Sequence, residues 1–479
     1  MDGMDQGGRA DWTHLPAGGM NEIAFDPADA KAALRQLPHK PAVFSLYGAE
    51  AHAEPYIGRT PNLKARLERL LQPSPKHPRR LQLAGRVRRI VWRLTGSEFE
   101  SRLLQFEWLQ KVYGAKALER MHLRAPAFVR YLRSNPYPRI VVTNRPSQRE
   151  ADWAYGPFSS RAAAERYVDE ALKLFLLRRC TDDLDPNPSH PGCVYSEMKM
   201  CLAPCYKGCT DERYGEEAAA VESFLSTRGE SRLVVLRSER DLASASLEFE
   251  SAAALHAQVQ KVETVHALAS ELVRPLSQLR VVILQGSANS DEVAVFLFEN
   301  GRLRGPAAFS TVGMRIQNEQ SGSTSLFAQP LAIEAVPEET ENGEAGVRDQ
   351  GSGMEKAGDW EQGTGIREAG SIQGLPEEIE PAKGTVSGAG VAARVKGARG
   401  MLEGRMEAVL GSLAEGAGAP SATVRQAHLA LLKRWYYRPE ARRTGEIFFP
   451  DGEGHWHVKA ILRGAGRVAA RMLTVANAP

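Results

Sequence analysis

The sequence predicts a multidomain α+β protein, and three observations carry that expectation. Its 479 residues are too many for one ordinary hydrophobic core, so two to four domains are expected. Residues 40–125 alternate strand-like and helix-like apolar patterns, and long helical patterns and a β-rich stretch follow them. Over residues 336–420 the composition shifts to Gly, Glu and Ala, almost without aromatics, Trp360 being the exception. Such a segment cannot bury enough apolar surface to offset the entropy of ordering, so it is read as a long disordered insertion.

The elements follow in order. Residues 1–35 read as a loose Gly/Asp-rich arm entering a short helix near 27–33. Residues 36–125 form a small mixed α/β domain, with strands expected at 42–47, 54–57 and 88–94 and helices at 62–71 and 99–113. Residues 126–212 are a connector with a strand at 139–143, a turn-like Tyr155-Gly156-Pro157-Phe158, and a helix over 160–178 that delivers the chain to Cys180. Helical patterns fill 213–273. Residues 274–335 are β-rich, with strands at 279–284 and 293–298, and Asn300-Gly301 marks a hairpin turn. After the insertion, residues 421–479 hold a helix over 422–437 and a small α/β piece over 446–473.

Apolar content of 43% and charged content of 25% are ordinary for a soluble globular chain. The net charge of +3 says little about partners, but its distribution says more. Between Arg59 and Arg93 many Lys and Arg residues face a single acid, Glu68. Such a face is the footprint of a phosphate-backbone binder, with a solvated helix face as the alternative. The candidate DNA contacts are Arg59, Lys64, Arg66, Arg69, Arg79 and Arg80. No apolar run is long enough to span a bilayer, and the N-terminus lacks a signal peptide's basic start and apolar core. No membrane association and a cytoplasmic location are therefore expected. Cys180, Cys193, Cys201, Cys205 and Cys209 crowd into one segment, which in a reducing compartment suggests metal or redox chemistry rather than disulfides.

Ala42-Val43-Phe44 is followed by Tyr56-Ile57-Gly58-Arg59-Thr60 and Asn62-Leu63-Lys64-Ala65-Arg66-Leu67. This run resembles the GIY-YIG nuclease domain in the form found in UvrC, the incision subunit of bacterial nucleotide excision repair. The resemblance implies catalytic positions at Tyr56, Arg59 and Arg66. It also implies a tyrosine where Phe44 stands and a metal-binding glutamate where Gln105 stands. Phosphodiester hydrolysis needs a carboxylate for a divalent cation, a base for the attacking water, and cations for the phosphate. Phe44 has no hydroxyl, and Gln105 offers a carbonyl oxygen without charge. The asparagine that ends the domain in the family has no match near residues 115–118. Incision is therefore expected to be lost. The rival reading is an active Mg²⁺- or Mn²⁺-dependent endonuclease in which the remaining residues suffice.

Cys180, Cys193, Cys201 and Cys205 resemble the UvrC run of four cysteines, which implies a [4Fe–4S] cluster. Zinc would accept the same ligands. A redox-responsive regulator, with the cluster controlling DNA affinity, is a third functional class. Leu247-Glu248-Phe249-Glu250, leading into Leu255, resembles the UVR motif, through which UvrC binds UvrB, within residues 240–265. The implied contacts are Leu247, Phe249, Glu250 and Leu255, and the alternative is a self-contained hairpin with Phe249 in its core. Ser251 stands where the family has arginine. Residues 279–309 are similar to the strands that follow in UvrC. The family's second, ribonuclease-H-like nuclease domain finds no match before Pro479, so it is expected to be absent.

Overall fold

The computed structural model of the protein describes residues 19–50, 53–72, 83–181, 183–312, 314, 388–415 and 418–476. They form three antiparallel four-stranded sheets with helices between them.

The first sheet contains β1 (Asn21–Ala24), β2 (Ala42–Gly48), β3 (Tyr56–Thr60) and β4 (Val87–Leu94), in the order β1-β4-β2-β3. Helix α1 (Ala30–Arg35) precedes β2, α2 (Leu63–Leu71) follows β3, and α3 (Glu98–Tyr113) follows β4, with a short α4 (Ala117–Arg120) behind it. Local chemistry sets the helix starts. Asn62 Oδ1 accepts the Ala65 amide at 3.0 Å and Ser97 Oγ accepts the Glu100 amide at 3.1 Å. Strand alternation then divides the side chains. Phe44, Leu46, Ile90 and Trp92 join Leu63, Leu67 and Leu70 of α2 in one core, while Val43 packs with Leu104 and Trp108 of α3 on the opposite face. The loose arm expected over residues 1–35 is corrected at residues 21–24, which pair along β4 as an edge strand, and residues 1–18 lie outside the described residues.

The second sheet contains β5 (Ala127–Tyr131), β6 (Ile140–Thr143), β7 (Ala154–Phe158) and β8 (Arg274–Pro275), in the order β6-β5-β7-β8. Residues 155–158, expected as a turn, are a fully buried strand. Helix α5 (Arg161–Ala171) stops well short of the expected 178. The one-turn α6 (Val194–Glu197) lies within the cysteine segment. Then α7 (Asp211–Ser226), α8 (Glu230–Ala245) and α9 (Phe249–Leu268) close over the sheet, burying Tyr214, Phe224, Leu236 and Val262.

The third sheet contains β9 (Val281–Gly286), β10 (Glu292–Glu299), β11 (Arg302–Ser310) and β12 (Glu446–Phe448), in the order β11-β10-β9-β12. Asn300 (φ 52°) and Gly301 (φ 75°) make the tight turn between β10 and β11, as their residue types demand. Ile283, Phe296 and Phe298 face α11 (Ala422–Tyr436), while Val282, Leu284 and Val295 face α10 (Gly388–Ala414) and α12 (Val458–Ala476). Residues 336–387 of the expected disordered insertion lie outside the described residues. Residues 388–414 correct that expectation: they are helical, and Met406, Leu410 and Leu413, spaced four and three apart, are buried on the sheet. The β-rich stretch and the C-terminal piece thus share one sheet.

Helix α3 is common to two cores. Its Leu104 and Trp108 lie under the first sheet, and its Phe99, Leu103 and Phe106 lie in the core of the third. Phe99 sits edge-on to Phe296 at 5.2 Å and beside Trp435 at 5.4 Å. Just before α3, Gly96 leaves no room for a Cβ against the backbone of Gly286 and Ser287 at the end of β9. No helix among the described residues is long and apolar enough to cross a membrane.

Candidate functional site

β3 is the edge strand of the first sheet, and its two faces carry different chemistry. Tyr56 and Gly58 lie opposite Leu46 and Phe44 of β2. The Phe44 ring is fully buried and lies directly over Gly58, where a Cβ would come within 2.7 Å of Phe44 Cζ. Tyr56 is half-buried with its ring 6.1 Å from that of Phe44. Arg66 Nη2 donates to Tyr56 Oη at 3.4 Å, at the outer limit of a hydrogen bond. Lys64 and Arg66 are half-buried on α2, and Arg69 is exposed, with its Nε bound to the Ala65 carbonyl at 3.1 Å. Arg79 and Arg80 lie outside the described residues.

Arg59 does not join this group. It stands three residues from Tyr56, an odd spacing that places it on the opposite face of the strand. There Arg59 Nη2 lies 3.6 Å from Glu98 Oε1 at the start of α3. Arg102 Nη2 approaches the same oxygen at 2.7 Å, and Arg438, just beyond α11, reaches Glu98 Oε2 at 2.8 Å. The hydrogen bond from Arg438, joined by that from Arg102 and opposed by partial burial, holds the Glu98 carboxyl down at about 2. Gln105 is half-buried seven residues along the same stripe of α3. The carboxylate on that stripe is thus tied up by three guanidiniums, and Gln105 carries no charge. The spacing of Glu98, Arg102 and Gln105 was legible in the sequence. Arg438 was not, since nothing local ties residue 438 to residue 98.

The cysteines approach one another without bridging. Burial raises the Cys180 and Cys201 thiols. Arg178 counteracts this at Cys180, and the Ala203 amide counteracts it at Cys201 by donating to the sulfur at 3.4 Å. Cys193 and Cys205 raise both further, so four thiols share one electrostatic neighbourhood. Cys209 packs against the helical core, and burial raises its thiol, with the charge of Asp211 adding to the rise. The four-thiol set fits a thiolate-bound metal in kind. Among the described residues, however, no group of three or more Cys, His, Asp or Glu closes to ligand geometry.

α8 and α9 form a hairpin whose turn contains Leu247 in a left-handed conformation (φ 60°). Leu247 is 70% exposed and Phe249 67%, and Glu250 beside them is exposed. Leu242, also 67% exposed, extends this apolar tip and was not singled out from the sequence. Its signal there was a lone leucine five residues before Leu247. Leu255 is partly buried on the helical core instead.

The family described as UvrC/Cho excinuclease, middle domain, matches residues 128–224. UvrABC system protein C of Alcanivorax borkumensis is 27% identical over 285 residues, 60% of this chain and 46% of that protein. Its counterpart from Ruminiclostridium cellulolyticum is 27% identical over 320 residues, 65% of this chain and 51% of that protein. The one from Ruegeria pomeroyi is 29% identical over 280 residues, 56% of this chain and 41% of that protein. The chain spans about half the length of the curated relatives it matches. No solved structure gives a significant match. The chain thus matches the UvrC middle domain and is similar to UvrABC system protein C over about 60% of its length.

Proposed function

We propose that the protein serves nucleotide excision repair by binding duplex DNA and a UvrB-type helicase, with strand incision lost. The buried Phe44 ring over Gly58 carries the loss. It occupies the tyrosine position of the GIY-YIG resemblance and brings no hydroxyl. Gln105 adds no charge to attract a divalent cation, and Glu98 is engaged by Arg59, Arg102 and Arg438. The exposed Leu242, Leu247 and Phe249 support a protein partner at the hairpin tip, since an apolar tip of this kind gains from being covered.

A second reading, an active Mg²⁺- or Mn²⁺-dependent endonuclease, draws on the Tyr56–Arg66 contact. That pair retains a phenol and a guanidinium together, as water activation and phosphate neutralisation require. Strand cleavage of a lesion-bearing duplex with UvrA, UvrB and either metal separates the two. No nick from the wild type supports the binding reading, and activity gained by the Phe44→Tyr/Gln105→Glu variant identifies the two substitutions as the cause. A nick from the wild type establishes the second reading.

Cys180, Cys193, Cys201 and Cys205 are proposed to hold a metal group, a [4Fe–4S] cluster or, alternatively, zinc. Iron and acid-labile sulfide in the purified protein support the cluster. Zinc in their place supports the alternative, and the absence of all three removes the proposal.

A further inference from the structure

Four arginines from three elements meet around one carboxylate where the first and third sheets adjoin. Arg59 on β3, Arg102 on α3 and Arg438 beyond α11 all contact Glu98. Arg434, one helical turn before Arg438, is exposed and pairs with no carboxylate among the described residues. Burial and the neighbouring Arg102 and Arg438 hold the Arg434 guanidinium below its ordinary range, and burial with Arg102 does the same to Arg59. A latch between two domains needs one arginine on one carboxylate. Here the cations outnumber the acid and repel one another, an arrangement that an added anion would relieve. The cluster is open to solvent, because the side chains of Arg59, Arg438 and Glu98 are 31%, 27% and 39% exposed. Guanidinium forks match phosphate oxygens in pairs, and a row of them suits a repeating phosphodiester better than a single small anion. The row begins on the edge strand β3, on the face opposite the one that carries Tyr56 beside Arg66.

We propose that Arg59, Arg102, Arg434 and Arg438 form a backbone-phosphate site that carries duplex DNA from the first sheet onto helix α11. In this site Glu98 is a positioning residue that holds three of the guanidiniums in place. The proposal rests on the DNA-binding reading above and extends it from Arg59 to Arg102, Arg434 and Arg438, which that reading did not include.

The test is the affinity of the full chain for a fluorescein-labelled duplex across a salt series. Wild type, Arg434→Gln, Arg434→Glu, Arg438→Gln and Arg66→Gln are compared, each with its thermal midpoint. Arg434→Gln is expected to lower the slope of log K against log salt by about 0.9 with no change in midpoint, the signature of one lost phosphate contact. Arg434→Glu is expected to weaken binding further. If both Arg434 variants bind as the wild type does while Arg66→Gln is weakened, the DNA reading stands and this site is overturned. A lowered midpoint in Arg438→Gln with an unchanged slope, together with wild-type binding by Arg434→Glu, reduces the cluster to a structural latch and also overturns it. If the wild type fails to bind duplex at low salt, the DNA reading itself fails and the site falls with it.

Discussion

Arg438 donates to the Glu98 carboxylate at 2.8 Å and so ties the C-terminal end of α11 to the start of α3, 340 residues away in the chain. Glu98 is held at about 2, well below the usual 4.5, so its contribution to stability is fully present above about pH 4.5. It is lost as the pH falls from there towards 2. Glu98→Gln removes this acid limb of the stability curve. At neutral pH it costs on the order of 1 kcal/mol, a modest figure because the side chain is over a third exposed and screened by water. Urea unfolding of both proteins at pH 7 and pH 4 measures the difference, which is expected to shrink at the lower pH.

The Phe44–Gly58 contact is a packing constraint in its own right. Gly58→Ala puts a Cβ within 2.7 Å of the Phe44 ring and is expected to destabilise the protein by about 1–3 kcal/mol through overpacking. In Phe44→Leu the cost of the added methyl falls, so the double variant is less destabilised than the sum of the singles. A double-mutant cycle by chemical denaturation reads this coupling.

His428 is buried on α11, and its Nδ1 accepts the Leu303 amide at 2.9 Å. Burial, with Arg302 adding to it, lowers its pKa to about 3 from 6.5, so the ring is neutral in the folded state. This stability is present above about pH 6.5 and declines as the pH drops through the interval towards 3. His428→Leu strands a buried amide and costs about 1–3 kcal/mol at pH 7. Its stability is expected to fall less steeply than that of the wild type between pH 7 and pH 5.

Phe249 stands in the open at the hairpin tip, so its replacement tests partner binding without damaging the fold. Phe249→Asp is expected to weaken association with a UvrB-type partner at least about tenfold, as loss of an aromatic anchor does, with an unchanged thermal midpoint. Calorimetric titration with the partner, beside a melting curve, checks both halves. Wild-type affinity in this variant removes the hairpin tip as the contact.

What could be read from the sequence was local. Asn300-Gly301 announced its turn because both residues tolerate positive φ. The Phe44, Tyr56 and Arg66 positions came from residue order alone. Grouping Arg59 with Tyr56 overlooked the strand's period of two, which separates residues three apart. Calling residues 336–420 disordered averaged composition over the whole window and so missed the apolar spacing of Met406, Leu410 and Leu413 at its end. The arginine cluster was illegible for another reason: it forms only when α3 is shared between two cores and α11 is carried back beside it.

The central claim is that this chain holds DNA without cutting it. It is tested most directly by titrating the wild type onto one labelled, lesion-bearing duplex with Mg²⁺, reading anisotropy, and then running the same samples on a denaturing gel. The account predicts a saturating rise in anisotropy, weakened by salt, with the strand intact in every lane. A metal-dependent nick in the saturated samples, abolished by Tyr56→Phe, would contradict it.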